Sequence, residues 1–569
     1  MPSILKTLIL VLGICGGLGT AFSFSTATSF TTKFYCGDST SGDSCTSPLS
    51  TFRVSLPLRN REFGDRLLQA ISSLDSAHYG KWLNKENASL LFAPFIPPND
   101  LIDWMEDGVS HGILCGCETF ECWSLSCLSL DDNQRDAYLS SLPDAYHVYG
   151  FDSPQANLTL AKFNAKQSNS QPYYVVPQTL WNLYSVNYSL HEPIGVGPTE
   201  FQDSGSFLVS DLKDFANATG LPVHAPTVNH TVGNLSNNSA DIEASLDMDY
   251  VAGVAPSVQM WYWSSPSWIL ESVENMLGHE TLPSVMTWSY GWSENDQGAI
   301  VGTNDSHAYV RHANDRLMVL ALRGVTVVVS SGDAGAPGRT NEGCSSSSAL
   351  NAVFPGASPY VLSAGATSLY NVTEWTDQDP HSKPPLCNGT TTCAYGGREG
   401  MCYQGGPGGC FWTAGGGFSN VSGRPFYQDE AIPSYLNDSS TSKPFGLFNA
   451  SGRGYPDLAA NGHNFFVVAQ GTQMPVDGTS ASAPTIGALI ARLNALRRVH
   501  GQPDLGFANP ALYAAAATCD HCFTKPIPGW NNCTEYTCCP FGYQGRSHGW
   551  DANTGHGNPN FTALADFLI

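Results

Sequence analysis

The chain has 569 residues, enough for one large domain and a smaller one, and its 26 basic and 49 acidic residues give a formal net charge of −23. This acidic balance, with a pI near 4.9, argues against nucleic acid and anionic membranes as partners. Only 13% of the residues are charged. Because a protein with few ion pairs loses little stability when its carboxylates are protonated, the composition suits acidic surroundings.

The N-terminal residues have the pattern of a secretory signal peptide. Lys6 precedes the apolar stretch Leu8–Leu18, which the small residues Gly19 and Ala21 follow. We therefore predict a signal peptide over residues 1–21. The stretch is short for a membrane span, and no later apolar run reaches spanning length. We expect no membrane span after signal removal, unless the signal is retained as an anchor.

Cysteine usage predicts an oxidising compartment. Sixteen of the seventeen cysteines remain after signal removal, six of them in residues 36–127 and ten in residues 344–539. Both sets are even, as expected if each part of the chain closes its own disulfides. Close pairs at 115/117 and 519/522 are also compatible with zinc, a less favoured alternative in a secreted chain. Asn-x-Ser/Thr sequons predict a glycoprotein; they include Asn217, Asn229, Asn304, Asn449 and Asn560.

A first region extends over residues 22–170. Apolar spacing predicts helices over Phe63–Ser73 and Tyr79–Ala93 and a third around Leu101–Met105. The polar stretch Gln167–Pro172 is typical of an exposed linker that a protease can cut.

From there on, apolar strands alternate with helices. Gly324–Asp333 contains a nearly continuous apolar run, typical of a parallel strand buried on both faces, and Arg311–Leu322 before it has helical periodicity. Such strand–helix–strand units predict an α/β fold with a parallel sheet flanked by helices. A Gly-, Pro- and Cys-rich insertion at about 370–413 is predicted to be a disulfide-stapled surface loop.

Two acids, Glu243 and Asp247, lie one helical turn apart in the segment Asp241–Tyr250. Residues four apart on a helix share one face. Two like charges brought together tend to hold one proton between them. Such a pair can donate and accept protons at pH values below neutral. The alternative is an ordinary solvated helix face.

A serine in Gly478-Thr-Ser480 precedes a helix with one apolar stripe. The positive end of that helix would stabilise negative charge developing at Ser480, and Gly478 leaves room for a substrate backbone. The alternative is a simple N-cap. None of the fifteen histidines lies in an evident catalytic segment, so the acid pair is the best base. Asp333, after the buried strand, could donate a hydrogen bond to an oxyanion while protonated, or be a turn residue.

These three segments resemble, in order, the three signatures of the sedolisin family of serine–carboxyl peptidases, above all its tripeptidyl-peptidase branch. The resemblance extends to Ser289–Gly291, Phe354–Tyr360, Gly415–Val421, Tyr455–Ala460 and Gly549–Asp551. It covers nearly the whole chain and implies a subtilisin-like fold. An inhibitory α+β prosegment would span residues 22–170 and a peptidase domain residues 171–569.

The same resemblance implies residue roles. Ser480 would be the nucleophile, Glu243 the general base, Asp247 its support, and Asp333 part of the oxyanion site. Substrate binding is implied for Ser289, Tyr290 and Gly291.

The chain departs from the family at its calcium site. The family binds calcium near the C-terminus through two Asp side chains and backbone carbonyls. Asp551 and the carbonyl of Gly549 match part of this site, but Lys525 stands where an Asp is expected, unless Asp520 supplies the acid by realignment. Because calcium requires hard oxygen ligands, we expect its binding to be weakened or absent. No organic cofactor is expected.

The resemblance thus implies an acid-active serine–carboxyl peptidase, made as a secreted zymogen, that releases tripeptides from free N-termini of polypeptides and is inhibited by its own prosegment. The expected location is the lysosome, another acidic vacuole or the extracellular space. An acid endopeptidase of the same family is the main alternative. A catalytically silent glycoprotein and a neutral subtilisin-type protease are less favoured.

Overall fold

The computed structural model describes residues 50–93, 104, 113–117, 123–129, 139, 141–142, 146–149, 166–167, 173–186, 194–203, 205–221, 228–236, 238–344, 350–375, 383–388 and 391–569. All of them belong to one compact unit, Ser50–Ile569. The predicted signal peptide, the cysteines at 36 and 45, the predicted helix around 101–105 and residues 168–172 of the predicted linker lie outside the described residues, apart from residue 104.

The strands are, in chain order, β1 (Ser50–Ser55), β2 (Ile113–Cys117), β3 (Ser124–Ser129), β4 (His147–Tyr149), β5 (Lys166–Gln167), β6 (Gly195–Glu200), β7 (Val228–Val232), β8 (Gln259–Ser264), β9 (Val285–Trp288), β10 (Trp292–Ser293), β11 (Thr326–Ser330), β12 (Val353–Phe354), β13 (Leu362–Glu374), β14 (Ala394–Met401), β15 (Gly417–Gly423), β16 (Gly452–Tyr455), β17 (Leu458–Asn461), β18 (Phe465–Ala469), β19 (Thr472–Asp477), β20 (Phe523–Thr524) and β21 (Asn558–Pro559).

The α-helices are, in chain order, α1 (Arg61–Ser72), α2 (Lys85–Phe92), α3 (Pro177–Leu183), α4 (Val209–Thr219), α5 (Ile242–Val254), α6 (Ile269–Gly278), α7 (Gly298–Val301), α8 (Ser306–Leu322), α9 (Ala431–Leu436), α10 (Thr479–Val499), α11 (Asn509–Thr518) and α12 (Phe561–Leu568). Within the described part of the chain, no helix is long and apolar enough to cross a lipid bilayer.

The central sheet has the strand order β14-β13-β11-β9-β6-β8-β7, and β17 pairs with β13 as well. All of these neighbours are parallel except β13 and β14. Parallel neighbours require crossover connections, and helices provide most of them here. The predicted α/β architecture is therefore confirmed.

The apolar run at β11 is explained by burial on both faces of this sheet. Val328 packs in the same core as Ile486 of α10, whereas Val327 and Val329 pack in a second core with Leu317 of α8. Successive side chains of a strand point to opposite faces, so helices cover the sheet on both sides.

Residues 50–149 contain an antiparallel sheet with the order β2-β3-β1-β4. The helix predicted from Tyr79 begins only at Lys85, so the N-terminal part of that prediction was wrong. The Asn84 side chain caps the helix by accepting a backbone N–H of its first turn. Just before it, the N–H of Leu83 donates to the carbonyl of Leu322 at the end of α8 (2.8 Å). A capping signal and a tertiary hydrogen bond override the local apolar spacing.

The ten cysteines of residues 344–539 all form disulfides, as their even number predicted. The pairs are Cys344–Cys539, Cys387–Cys393, Cys402–Cys410, Cys519–Cys522 and Cys533–Cys538. The zinc alternative at 519/522 is therefore wrong.

The Cys-rich insertion is stapled by two of these disulfides, but its interpretation as a surface loop was wrong. Strand β14 lies inside it and pairs antiparallel with β13 at the end of the central sheet. Met401 and Trp412 pack with Ala366 in a buried cluster. The glycines of β14 weaken its strand signal in the sequence, while pairing with β13 stabilises the strand.

Candidate active site

The two acids of α5 lie inside the protein. Asp241 is the N-cap and accepts the backbone N–H of Glu243 (2.8 Å). Glu243 is 1% exposed and Asp247 is fully buried. Every residue of α5 from Glu243 to Val254 is buried, so the alternative of a solvated helix face is wrong.

Ser289 connects this acid pair to the start of α10. Its hydroxyl lies 2.9 and 3.1 Å from the two carboxylate oxygens of Asp247 and donates to that carboxylate. It also lies 3.4 Å from the carbonyl oxygen of Ser480. Ser289 and Tyr290 are both fully buried, and the Tyr290 hydroxyl donates to Glu200 Oε2 (2.6 Å). Of the predicted substrate-binding segment, only Gly291 lines the open cleft described below.

Ser480 lies in the first turn of α10 and does not cap it. The N-cap position belongs to Gly478, whose φ of 148° favours glycine. Ser480 is fully buried, and its Oγ has no hydrogen-bond partner among the described residues. The N-cap alternative is therefore wrong, and the hydroxyl is placed where the positive helix end favours negative charge.

Asp333 follows β11 and turns its carboxyl toward the same helix start. Its Oδ1 accepts the backbone N–H and the hydroxyl of Thr479 (2.8 and 2.7 Å). Its Oδ2 is buried and has no hydrogen-bond partner within the described chain. A Cβ built on Gly478 would lie 3.4 Å from this Oδ2 and 3.5 Å from Ser480 Cβ. Asp333 Oδ2 and the Ser480 side chain therefore both lie close to Gly478, where the φ of 148° disfavours any residue with a side chain.

A small cleft opens beside Asp333. Gly291, Trp292 and Ser293 line one part of it, and the turn that follows Gly332 lines another. Both segments follow the ends of adjacent parallel strands, β9 and β11. Ligands of open parallel sheets commonly bind at this edge. The cleft therefore lies at the edge of the sheet where such ligands bind, next to Asp333.

A buried histidine–aspartate pair near Ser480 was not foreseen from the sequence. His463 Nδ1 lies 2.7 Å from Asp477 Oδ2, and Asp477 Oδ1 accepts the N–H of Asn464 (2.6 Å). The pair joins the start of β18 to the end of β19. Because Ser480 Oγ has no hydrogen-bond partner in the described chain, His463 is not its hydrogen-bonded base here. A histidine ahead of an apolar strand, facing an acid at the end of the next strand, was the available signal.

The predicted calcium corner is organised around Lys525. Its ammonium Nζ lies 2.8 Å from Asp551 Oδ2, 3.1 Å from Thr554 Oγ1 and 2.5 Å from the carbonyl oxygen of Gly555. Burial lowers the pKa of Lys525 and the Asp551 carboxylate opposes that shift. Asp520 is exposed, and Gly549 lies in the turn just before Trp550, with a φ of 63°. Across the described residues, no group of three or more His, Cys, Asp or Glu side chains is arranged to hold a metal ion.

Comparison with known proteins agrees with this geometry. Residues 203–503 match the subtilase family. The chain is 33% identical to physarolisin of Physarum polycephalum over 553 residues, 91% of this chain and 94% of that one. It is 30% identical to tripeptidyl-peptidase 1 of Homo sapiens over 572 residues, 90% of each chain.

A solved structure supports the fold. Pseudomonas sedolisin, a serine-carboxyl proteinase complexed with two molecules of pseudo-iodotyrostatin, superposes with a TM-score of 0.50 at 21% identity, covering 70% of this chain and 99% of that one. The chain therefore belongs to the subtilase family of serine peptidases. Within it, the extent of its likeness to physarolisin and tripeptidyl-peptidase 1 places it among the sedolisins, the serine–carboxyl peptidases.

Proposed function

We propose that this protein is an acid-active serine–carboxyl peptidase in which Ser480 is the nucleophile. The observation that carries the proposal is the pair of buried, unpaired oxygens, Ser480 Oγ and Asp333 Oδ2, on side chains that both lie close to Gly478. Buried polar atoms normally find hydrogen-bond partners, and an unpaired hydroxyl beside an unpaired carboxyl oxygen supports a role for both in pairing with a substrate.

The proposed chemistry is acyl transfer. Glu243 accepts the Ser480 proton as Oγ attacks the substrate carbonyl, and Asp247, held by Ser289, orients that base. A protonated Asp333 donates to the oxyanion of the tetrahedral intermediate. Glu243 then protonates the departing amine, and a water molecule, deprotonated by Glu243, releases the acyl group.

Asp333 explains why the enzyme should work in acid. Its Oδ1 already accepts two hydrogen bonds from Thr479, so the proton of the neutral acid belongs on Oδ2, facing Ser480. A carboxylate has no proton to donate. The proposed donor role therefore requires the protonated form of Asp333.

We also propose that residues 22–170 form an inhibitory prosegment. The buried guanidinium of Arg316 donates to the carbonyls of Leu56 and Trp123 (2.7 and 2.8 Å), which holds β1 and β3 against α8. Strand β5 pairs antiparallel with Val476 and Asp477 of β19. A backbone segment of this chain thus lies beside the strand that leads into Ser480, where it would hinder a substrate.

We propose more specifically that the enzyme releases tripeptides from free N-termini, which is supported by 30% identity to tripeptidyl-peptidase 1 over 90% of both chains. Acid endopeptidase activity remains the alternative. The five disulfides within residues 344–539 support passage through the secretory pathway, and acid activity would suit a lysosome, another acidic vacuole or an acidic extracellular space.

Ser480→Ala tests the nucleophile. We expect loss of turnover on peptide substrates with unchanged secretion and unfolding temperature. Retained turnover would contradict the assignment. Comparison of a free-amino tripeptidyl reporter with its N-acetylated form in mild acid then separates the two activities. Loss of turnover on acetylation supports the tripeptidyl peptidase, and equal turnover supports the endopeptidase.

A further inference from the structure

We propose that the Lys525 ammonium takes the place that calcium holds in the family, so that this corner of the protein folds without a metal ion. The proposal does not depend on the assigned catalytic roles. Strand β20 pairs with β21 through Phe523↔Pro559 and Thr524↔Asn558. This pairing carries the next residue, Lys525, over the loop of residues 551–557.

The hydrogen bonds of the Lys525 ammonium are all satisfied within the protein. Its three hydrogen-bond donors face three oxygen acceptors, Asp551 Oδ2, Thr554 Oγ1 and the Gly555 carbonyl. The Lys525 side chain is 10% exposed and that of Asp551 is 1% exposed. The contact is therefore a nearly buried ion pair with satisfied donors, not a loose surface pair.

The same contacts leave Asp551 unsuited to calcium. Its Oδ1 accepts the backbone N–H groups of Asn553 and Thr554 (2.9 Å each). Its Oδ2 accepts the N–H of Arg546 (3.0 Å) as well as the ammonium. Calcium takes roughly six to eight oxygen ligands, whereas both oxygens here already have donors, and a cation lies where the second carboxylate is required.

The corner supports the central sheet. The N–H of His556 donates to the Asp457 carbonyl (2.8 Å), and the N–H of Ala459, in β17, donates to the Gly557 carbonyl (3.0 Å). A Cβ on Gly555 would come within 2.0 Å of the Asp457 carbonyl oxygen, so the loop lies directly against the chain that enters β17. Loss of the ammonium would leave Asp551 a buried, uncompensated charge in this loop.

The test uses the full-length Ser480→Ala protein, so that self-cleavage does not interfere. After dialysis against EGTA and then against metal-free buffer, elemental analysis should find far less than one calcium per chain. The unfolding temperature should be the same in EGTA and in millimolar calcium. One calcium retained per chain, or an unfolding temperature that falls in EGTA, would overturn the proposal.

Two variants sharpen the test. Lys525→Met removes the charge at similar length and should lower the unfolding temperature by several degrees, whereas the exposed control Lys213→Met should not. Lys525→Asp restores the acid of the family pattern and should make the unfolding temperature rise with added calcium. An unchanged unfolding temperature in Lys525→Met would contradict the proposal. If that variant does not fold, the calcium content and the EGTA comparison of the parent protein still decide it.

Discussion

At the scale of single residues, the site is defined as much by the hydrogen bonds it lacks as by those it makes. A buried polar atom without a partner costs roughly 1–3 kcal/mol, yet Ser480 Oγ and Asp333 Oδ2 both remain unpaired in the described chain. The bonds that are made, from Thr479 to Asp333 Oδ1 and from Ser289 to Asp247, hold the acids in position. In the proposed mechanism, the two unpaired oxygens are left for a reacting substrate.

Substitution of Asp333 tests its role as oxyanion donor. Asp333→Ala should reduce kcat by about 10²–10³-fold, the usual cost of one such donor, with a smaller change in KM. Asp333→Asn keeps an acceptor for Thr479 and a permanent N–H donor, so it should retain more turnover than the Ala variant and depend less on pH above the optimum. Steady-state kinetics against pH measure both effects. Equal losses in the two variants would contradict the donor role.

At the scale of elements, two histidines lie where β4 meets α8. The rings of His147 and His312 stack with centroids 5.6 Å apart, and His312 Nδ1 lies 2.9 Å from Ser55 Oγ. Burial lowers the pKa of His147 to about 4, with Asp305 opposing the shift and Arg311 adding to it.

The pKa of His312 is also lowered, well below its ordinary value. Burial is the main cause, and the neighbouring Arg316, His147 and Arg311 charges act in the same direction. Both histidines of this contact are thus neutral in the folded protein at neutral pH.

This contact should weaken in acid. Because the folded pKa lies below the unfolded value of about 6.5, the contact contributes its full stability above pH 6.5. Stability is lost as the pH falls from about 6.5 toward about 4, since the unfolded state binds more protons there. The protection factors for hydrogen exchange of residues 50–55 in Ser480→Ala, which correct for the pH dependence of intrinsic exchange, should therefore fall over this pH range.

His312→Gln can keep the hydrogen bond to Ser55 but does not titrate. It should reduce the acid sensitivity of the protection factors in β1, whereas His307→Gln, a partly exposed control on the same helix that contacts Asn295, should leave it unchanged. The same acid sensitivity in His312→Gln and in the parent protein would contradict a role for this histidine.

At the scale of the whole molecule, two buried acids make the folded state more stable in acid, the opposite of the effect of His147 and His312. Burial raises the pKa of Glu294 to about 7, against hydrogen bonds from Ser419, Asn420 and Val421 and the charge of Arg453. Burial likewise raises the pKa of Glu399 to about 7, against hydrogen bonds from Thr367, Tyr184 and Asn558.

These folded pKa values lie above the ordinary value of 4.5. The folded state therefore binds more protons than the unfolded state between pH 4.5 and pH 7, and these two groups stabilise it as the pH falls through that range. The same acidification would weaken the contact between His147 and His312 and add stability at Glu294 and Glu399.

Glu399→Gln tests the acid contribution. The wild-type carboxyl should add up to about 3 kcal/mol of unfolding free energy on going from pH 7 to pH 4.5, from 1.36 kcal/mol per unit of pKa. The Gln variant should lose most of this gain, and the exposed control Glu374→Gln should keep it. Chemical unfolding at both pH values measures the difference. A gain of equal size in all three proteins would rule out Glu399 as its source.

The sequence by itself predicted the candidate catalytic residues and determined the layered architecture. The order of Glu243, Asp247, Asp333 and Ser480, the apolar run of β11 and the even cysteine count are local patterns. Such patterns report directly on helix faces, buried strands and disulfides, so the α/β fold and the ten paired cysteines followed from them. They misjudged Tyr79–Asn84 and β14, where tertiary contacts override local spacing.

Only the tertiary structure decided which atoms meet. It buried α5 on every side, left Ser480 Oγ and Asp333 Oδ2 unpaired around Gly478, and put Lys525 against Asp551. The oxygens of Asp333 and Ser480 belong to residues far apart in the chain and converge because β11 lies beside α10 in the folded core. Strand order and helix packing set such distances through non-local burial, which no spacing along the chain encodes.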